Sequence, residues 1–237
     1  MGPTRASASL TVVIPAHNEE GGIRLAISEA FGLYPPASEL LKVIVVDDAN
    51  TDGTVSEVNR VALAEPRLQL IALRRNIGAN RAIYAGVAAA TTELVAFLPA
   101  DRQVLAGELR GCLEVIDDAD IVCTARSGRA DPWSRKVLST IYNYLVRALF
   151  ALPVHDVDSV FLGRREPIQR LLPLLVSRSD FLPVELLVRA RRDHLRVREI
   201  TIGHHPRHSG QASAVSPRFV LMTMRDLLRG LWTLRGS

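Results

Sequence analysis

The sequence predicts an α/β protein with a mainly parallel central sheet and helices on both faces. Two observations carry this. Short apolar runs recur along the first half: LTVVI (10–14), KVIVV (42–46), LQLIAL (68–73), LVAFL (94–98) and DIVCT (120–124). Between them lie amphipathic stretches of helical length, at 20–33, about 52–64, 78–90 and about 106–116. Strands buried on both faces read as near-continuous apolar runs, and a helix between successive strands makes them parallel.

Taken in order, the first strand over 10–14 leads into a helix over 20–33, and the second over 42–46 into one from about Asp52 to Ala64. The third, 68–73, is followed by a helix from Gly78 to Ala90, and the fourth, 94–98, by one near Ala106–Ile116. After residue 125 the alternation gives way to DPWSRKVLSTIYNYLVRALFAL, a long helix opened by Asp131 with Pro132 at its first position. DVDSVFLGRRE reads as a strand running into a short helix. FLPVELLVRARRD reads as a helix, LRVREITI as an edge strand, HHPRHSGQAS as a loop and the tail as a helix. The expected organisation is a flexible N-terminus over 1–8, one domain over 9–215 and an amphipathic helix over 216–237.

The 237 residues suffice for a sizeable core. The net charge is +4, and of 29 basic residues only Lys42 and Lys136 are lysines. Arginine is the side chain best shaped for bidentate phosphate contacts. Nucleic acid is the weaker reading, because aromatic content is 5% and no basic stripe interleaved with aromatics occurs. Cys112 and Cys123 form no CxxC pair and read as buried, reduced thiols of a cytosolic protein. The N-terminus lacks the apolar stretch of a signal peptide, and no run approaches the ~18 apolar residues of a membrane span.

In an open parallel sheet, ligands bind beyond the carboxyl ends of the strands. There the unusual residues collect: PAHNEE (15–20), DDANTDGT (47–54), PADRQ (99–103) and TARSGR (124–129). Asn18 and Glu19 can cap the first helix, and Asp52 with Gly53 can form a turn. Asp47 and Asp48 point further, since paired acids after four apolar strand residues are costly without a partner. NIGANRAIYAG (76–86) contains no G-x-G-x-x-G, so Gly78 and Gly86 read as serving the helix start and close packing.

VVIPAHNEE, VIVVDDANTDGT, NIGANRAIYAG and PADRQ, in that order, resemble the family 2 glycosyltransferases of the GT-A fold, a Rossmann-like nucleotide-diphospho-sugar transferase architecture. IVCTAR, SRKVLSTIYNYLVR, HDVDSVFLGRRE, VELLVRARRDHLRVREITI and PRHSGQAS look like the branch holding dolichyl-phosphate mannosyltransferase and bacterial polyprenyl-phosphate glycosyltransferases. The resemblance covers about residues 9 to 230.

It implies that a nucleotide-sugar donor contacts Pro15, His17, Glu19, Val46 and Asp48, with His17 as a planar ring for stacking and Asp48 accepting hydrogen bonds from the donor. The family's D-x-D metal motif followed by Gln is reduced to Pro99-Ala100-Asp101 with Gln103, which implies Mg²⁺ or Mn²⁺ on Asp101 and Gln103, completed by the donor diphosphate. Arg126 and Arg207 are implied at donor phosphates and Arg135 at an acceptor phosphate. Asp156 is the implied base for a hydroxyl acceptor, its alternative being a structural acid holding Arg135 or a helix end. Asp101, Arg126 and Asp156 form the implied catalytic set.

Two basic positions of the family pattern are absent, at Leu162 and Ser213. His204, His205 and His208 lack a Cys or carboxylate at ligand spacing, which argues against zinc. The resemblance implies inverting transfer of a hexose from a GDP-mannose or UDP-glucose type donor to a polyprenyl or dolichyl phosphate. It also suggests peripheral contact of the C-terminal helix with the cytoplasmic face of a membrane. A hydroxyl acceptor, and a non-catalytic protein binding a nucleotide or partner, remain open.

Overall fold

Alternate residues of the first strand face opposite sides of the sheet, and both sides are apolar. Leu10, Val12 and Ile14 enter one core, whereas Val13 enters the other. The computed structural model describes residues 8–35, 38–128, 133–206 and 217–235. Its strands are β1 (Leu10–Ala16), β2 (Leu41–Asp47), β3 (Leu68–Ala72), β4 (Leu94–Phe97), β5 (Ile121–Ser127), β6 (Phe161–Arg164) and β7 (Val197–Gly203). Its helices are α1 (Ile23–Phe31), α2 (Thr54–Ala62), α3 (Ala79–Ala89), α4 (Leu109–Val115), α5 (Trp133–Phe150), α6 (Arg165–Leu171), α7 (Leu182–Arg192) and α8 (Pro217–Arg235).

The strands form one sheet in the order β3-β2-β1-β4-β6-β5-β7, parallel except for β6, which runs antiparallel to both neighbours. The sequence pattern shows that β6 exists but not that it inserts between β4 and β5. The first core gathers residues of α1, α2 and α4, and the second those of α3, α5, α6, α7 and α8.

Two packing details fix the layers. Gly78 opens α3 with φ +89, a backbone region open to glycine, and a Cβ on Gly86 would lie 2.4 Å from Val13 Cγ1. The helix therefore lies close against β1 and β2. α1 begins at Ile23 rather than near residue 20, because residues 18–20 bond to the loop after β2.

α8 corrects the expected polarity of the C-terminal helix. Asp226 is buried, with Oδ2 accepting from the Arg178 amide and the Ser179 hydroxyl, both at 2.9 Å. Leu227 and Leu234 are buried beside it, and Gly230 lies against the Phe181 ring. The docked face of this amphipathic helix thus includes a buried acid, and these contacts do not support a membrane contact through it. Among the described residues, no helix is long and apolar enough to cross a membrane.

Candidate active site

β1 has β2 on one side and β4 on the other, so the chain leaves it in opposite directions. Such a switch point opens a crevice at the carboxyl ends of the two strands. HNEE (17–20) follows β1 and PADRQ follows β4, one on each side of that crevice. Three non-glycine residues with positive φ lie in the loops of this edge: Asn18 (59), Ala49 (59) and Arg102 (60). Backbone of this kind costs about 1–3 kcal/mol per residue and persists where surrounding contacts impose it.

Those contacts are visible. Asn18 Oδ1 accepts from the Thr51 amide at 2.8 Å, and the Asn18 amide bonds to the Asn50 side chain. The Glu19 amide donates to Thr54 Oγ1 at 2.9 Å, and the Gly53 amide to Glu20 Oε2 at 3.1 Å. Asp52 accepts from the Thr54 amide and hydroxyl and from the Glu20 amide. Burial pushes its carboxyl up, but these bonds outweigh it and hold the group below its ordinary value. The loops after β1 and β2 therefore form one cross-linked rim. Asn18, one of two residues that could have capped the first helix, is instead a clamp between loops.

The paired acids have distinct tasks. Asp47 Oδ1 accepts from the Asn50 amide at 2.7 Å and from its side chain at 2.6 Å. Asp48, nearly fully buried, receives the Ile77 amide on Oδ1 at 2.7 Å and the Gly78 amide on Oδ2 at 2.9 Å. It fixes the turn that starts α3. His17 Nδ1 bonds to the Asp48 carbonyl at 2.9 Å, which fixes its ring on the rim. Pro15 and Val46 are register partners in β1 and β2. Val46 is sealed in the second core against Gly86, so its side chain does not face the crevice.

On the β4 side, Asp101 Oδ1 accepts from the Gln103 amide at 2.9 Å. Arg102 turns back to α1, where Nε bonds Glu29 Oε1 at 2.8 Å. The Gln103 carbonyl receives the His205 amide at 2.8 Å, tying the end of β7 to the PADRQ loop. No signal in the sequence announces either tie.

At the far side of the edge, Arg126 and Asp156 form a bidentate pair, Nε to Oδ2 at 2.7 Å and Nη2 to Oδ1 at 2.9 Å. Both are largely buried. This corrects the expected partner of Asp156: the arginine it holds is Arg126, and a guanidinium engaging both carboxylate oxygens disfavours the proton transfer expected of a base. Glu199 on β7 supports the pair from below. Its Oε1 accepts from the amides of His155 and Asp156, the latter at 3.1 Å, and its Oε2 meets His155 Nδ1 at 2.6 Å. Glu199 escaped the sequence reading, which saw only an edge strand.

Beside Asp156 a cleft runs down between α3, β4 and α7. Tyr84, Phe97, Phe161 and Leu186 line it, with Asn80 and Asp158 among its polar residues. Arg135 falls in the first turn of α5, and its side chain lies outside what is described; Arg207, His208 and Ser213 lie outside the described residues. Among those that are described, no group of three His, Cys, Asp or Glu could hold a metal ion alone.

The family model for glycosyl transferase family 2 matches residues 11–172. The chain belongs to glycosyltransferase family 2. It is 33% identical over 215 residues to an uncharacterised glycosyltransferase of Mycobacterium tuberculosis, covering 87% of this chain and 90% of that protein. It is 30% identical over 226 residues to the undecaprenyl-phosphate 4-deoxy-4-formamido-L-arabinose transferase of Aeromonas hydrophila, covering 94% and 67%. The glucosyl-3-phosphoglycerate synthase of M. tuberculosis, solved with Mn²⁺, UDP and glucosyl-3-phosphoglycerate, superposes with a TM-score of 0.68 at 20% identity, covering 99% and 85%. A mannosyltransferase of Pyrobaculum calidifontis, solved with GDP-mannose and Mn²⁺, superposes with a TM-score of 0.66 at 21% identity, covering 94% and 64%. This glycosyltransferase therefore has the GT-A fold, as its motifs and sheet order lead one to expect.

Proposed function

We propose that this glycosyltransferase moves a hexose, with inversion, from a nucleotide sugar of the GDP-mannose or UDP-glucose type to a polyprenyl phosphate at the cytoplasmic face of a membrane. The observation that carries the donor half is the crevice at the β1/β4 switch point, with the cross-linked rim on one side and Asp101 with Gln103 on the other. The acceptor half is supported by the similarity, over 94% of this chain, to a protein named as an undecaprenyl-phosphate transferase.

The residues present fit a divalent metal that arrives with the diphosphate. Asp101 and the Gln103 side chain offer hard oxygen donors two residues apart, and Mg²⁺ commonly takes one or two carboxylates with phosphate and water completing its shell. Asp101 and Gln103 would hold it, and it would neutralise charge on the leaving diphosphate. His17 offers a ring face to the base, while Asp48 keeps the α3 turn in place beneath it. Arg126 binds phosphate charge, and Asp156 holds its guanidinium in plane for that purpose. An anionic phosphate acceptor attacks the anomeric carbon without a general base.

The test is a transfer assay with radiolabelled GDP-mannose and UDP-glucose, Mn²⁺ and undecaprenyl phosphate in detergent. Label in a lipid-extractable phosphodiester is expected from one donor. Hydrolysis or transfer only to a hydroxyl acceptor would contradict the acceptor reading.

A further inference from the structure

The cleft beside Asp156 holds two polar groups that the proposed transfer leaves unused. Asn80 and Tyr84 stand four residues apart on α3 and both line the cleft, so one helix face presents them together. Among the described residues, neither Asn80 Oδ1 nor the Tyr84 hydroxyl makes a hydrogen bond. Tyr84 is only 8% exposed, and a buried polar group without a partner is costly. Burial raises its pKa, so the hydroxyl keeps its proton and can donate. The walls are apolar: Tyr84 stacks on Phe161, Phe97 meets Phe161 edge-on at 5.4 Å, and Leu186 of α7 joins them. The volume is about 20 Å³, on the order of one or two water-sized groups.

The orientation of Asn80 is built by its surroundings. Its Nδ2 donates to Asp180 Oδ1 at 3.1 Å, and because a carboxylate oxygen accepts, the amide is turned with Oδ1 away from Asp180. The Asp180 carbonyl accepts in turn from Tyr142 Oη at 3.1 Å. Two buried carboxylates from different helices hold the loop that carries Asp180. Glu185 of α7 accepts the Val176 and Ser177 amides at 3.1 and 2.9 Å. Asp226 of α8 accepts the Arg178 amide and the Ser179 hydroxyl. Burying a carboxylate is costly unless it is well hydrogen-bonded, and here both serve one short loop.

We propose that this cleft receives the exocyclic hydroxymethyl group of the transferred hexose, its hydroxyl donating to Asn80 Oδ1 and accepting from the Tyr84 hydroxyl. The group matches the cleft in size and character: a methylene meets the aromatic walls, and the hydroxyl both donates and accepts. A hexose ring is too large for this space, and a methyl or hydrogen in its place leaves both polar atoms without a partner. The cleft is lined by Asp156, whose partner Arg126 is assigned to phosphate charge, so a sugar joined to the diphosphate lies at its mouth. The assignment rests on the donor reading and adds to it the part of the sugar that is recognised.

Calorimetric titration of the full chain with Mn²⁺ compares UDP, UDP-glucose and UDP-xylose, which lacks the hydroxymethyl group. A parallel series uses GDP, GDP-mannose and GDP-6-deoxymannose, in which the group is a methyl. For the nucleotide that binds, the hexose donor is expected to bind about tenfold or more tighter than its analogue. Tyr84→Phe and Asn80→Ala should each bring that ratio to within about threefold, with unchanged affinity for the nucleoside diphosphate and an unchanged melting transition. Equal binding of hexose donor and analogue by the wild type would overturn the proposal and leave the donor reading standing. So would variants that keep the ratio, or that weaken the nucleoside diphosphate as much as the sugar donor. Absence of binding by UDP and GDP alike would instead remove the donor reading, and this assignment with it.

Discussion

Asp156 shows how much a side chain's role depends on what faces it. The family resemblance implies either a base or a structural acid at this position, and both carboxylate oxygens are taken by the Arg126 guanidinium while Glu199 holds its backbone. Replacing one member of a largely buried pair leaves the other charge uncompensated, on the order of 3 kcal/mol. Asp156→Asn is expected to lower the urea midpoint and to weaken nucleotide-diphosphate affinity, whatever the acceptor. Unchanged stability with loss of transfer to a hydroxyl acceptor alone would restore the base role. The cysteines give a second prediction at this scale. Burial pushes the Cys112 thiol up to about 12 and raises Cys123 as well. Neither should react with a thiol reagent at pH 8 unless the protein is unfolded, and rapid native labelling would contradict their burial.

Among the elements, α3 makes the sharpest test of packing. Gly86 faces Val13 and Val46, β-branched side chains with little rotamer freedom, and an added Cβ would approach the first to 2.4 Å. Gly86→Ala gains helix propensity of up to about 1 kcal/mol but overpacks the sheet contact, which typically costs about 1–3 kcal/mol. A net lower denaturation midpoint is expected, and a raised midpoint would show that α3 rides higher on the sheet. Both Gly78 and Gly86 were legible in the sequence, because a glycine at a helix start and one inside a helix each have few explanations. The strands and helices were legible for the same reason: their periodicity is local. The insertion of β6 and the reach of Glu199 to residue 156 were not. Each depends on pairing between segments far apart in the chain, which a local pattern does not encode.

Across the whole molecule, two cross-linking carboxylates contribute to stability in a way that acid removes. Asp52 ties the loops after β1 and β2, and Asp120 ties the start of β5 to Arg196 before β7. Burial pushes both carboxyls up, but hydrogen bonds from Thr54 and from Arg196 respectively hold them below the ordinary 3.8. A carboxyl lowered in the folded state stabilises fully above its unfolded pKa, and that contribution is lost as pH falls through the folded value. The midpoint should therefore hold on this account down to about pH 4 and fall below it. The Asp52→Asn, Asp120→Asn double variant should start less stable and fall less steeply; an identical acid slope would remove these two groups from the explanation.

The donor site proposed at the β1/β4 crevice centres on Asp101. Calorimetric titration of the purified protein with GDP-mannose and with UDP-glucose, with and without Mn²⁺, beside Asp101→Ala, tests it most directly. Metal-dependent binding of one donor, lost in Asp101→Ala, is the predicted result. Failure of both donors to bind under every condition would rule out this donor site and favour a protein that keeps the fold without the chemistry.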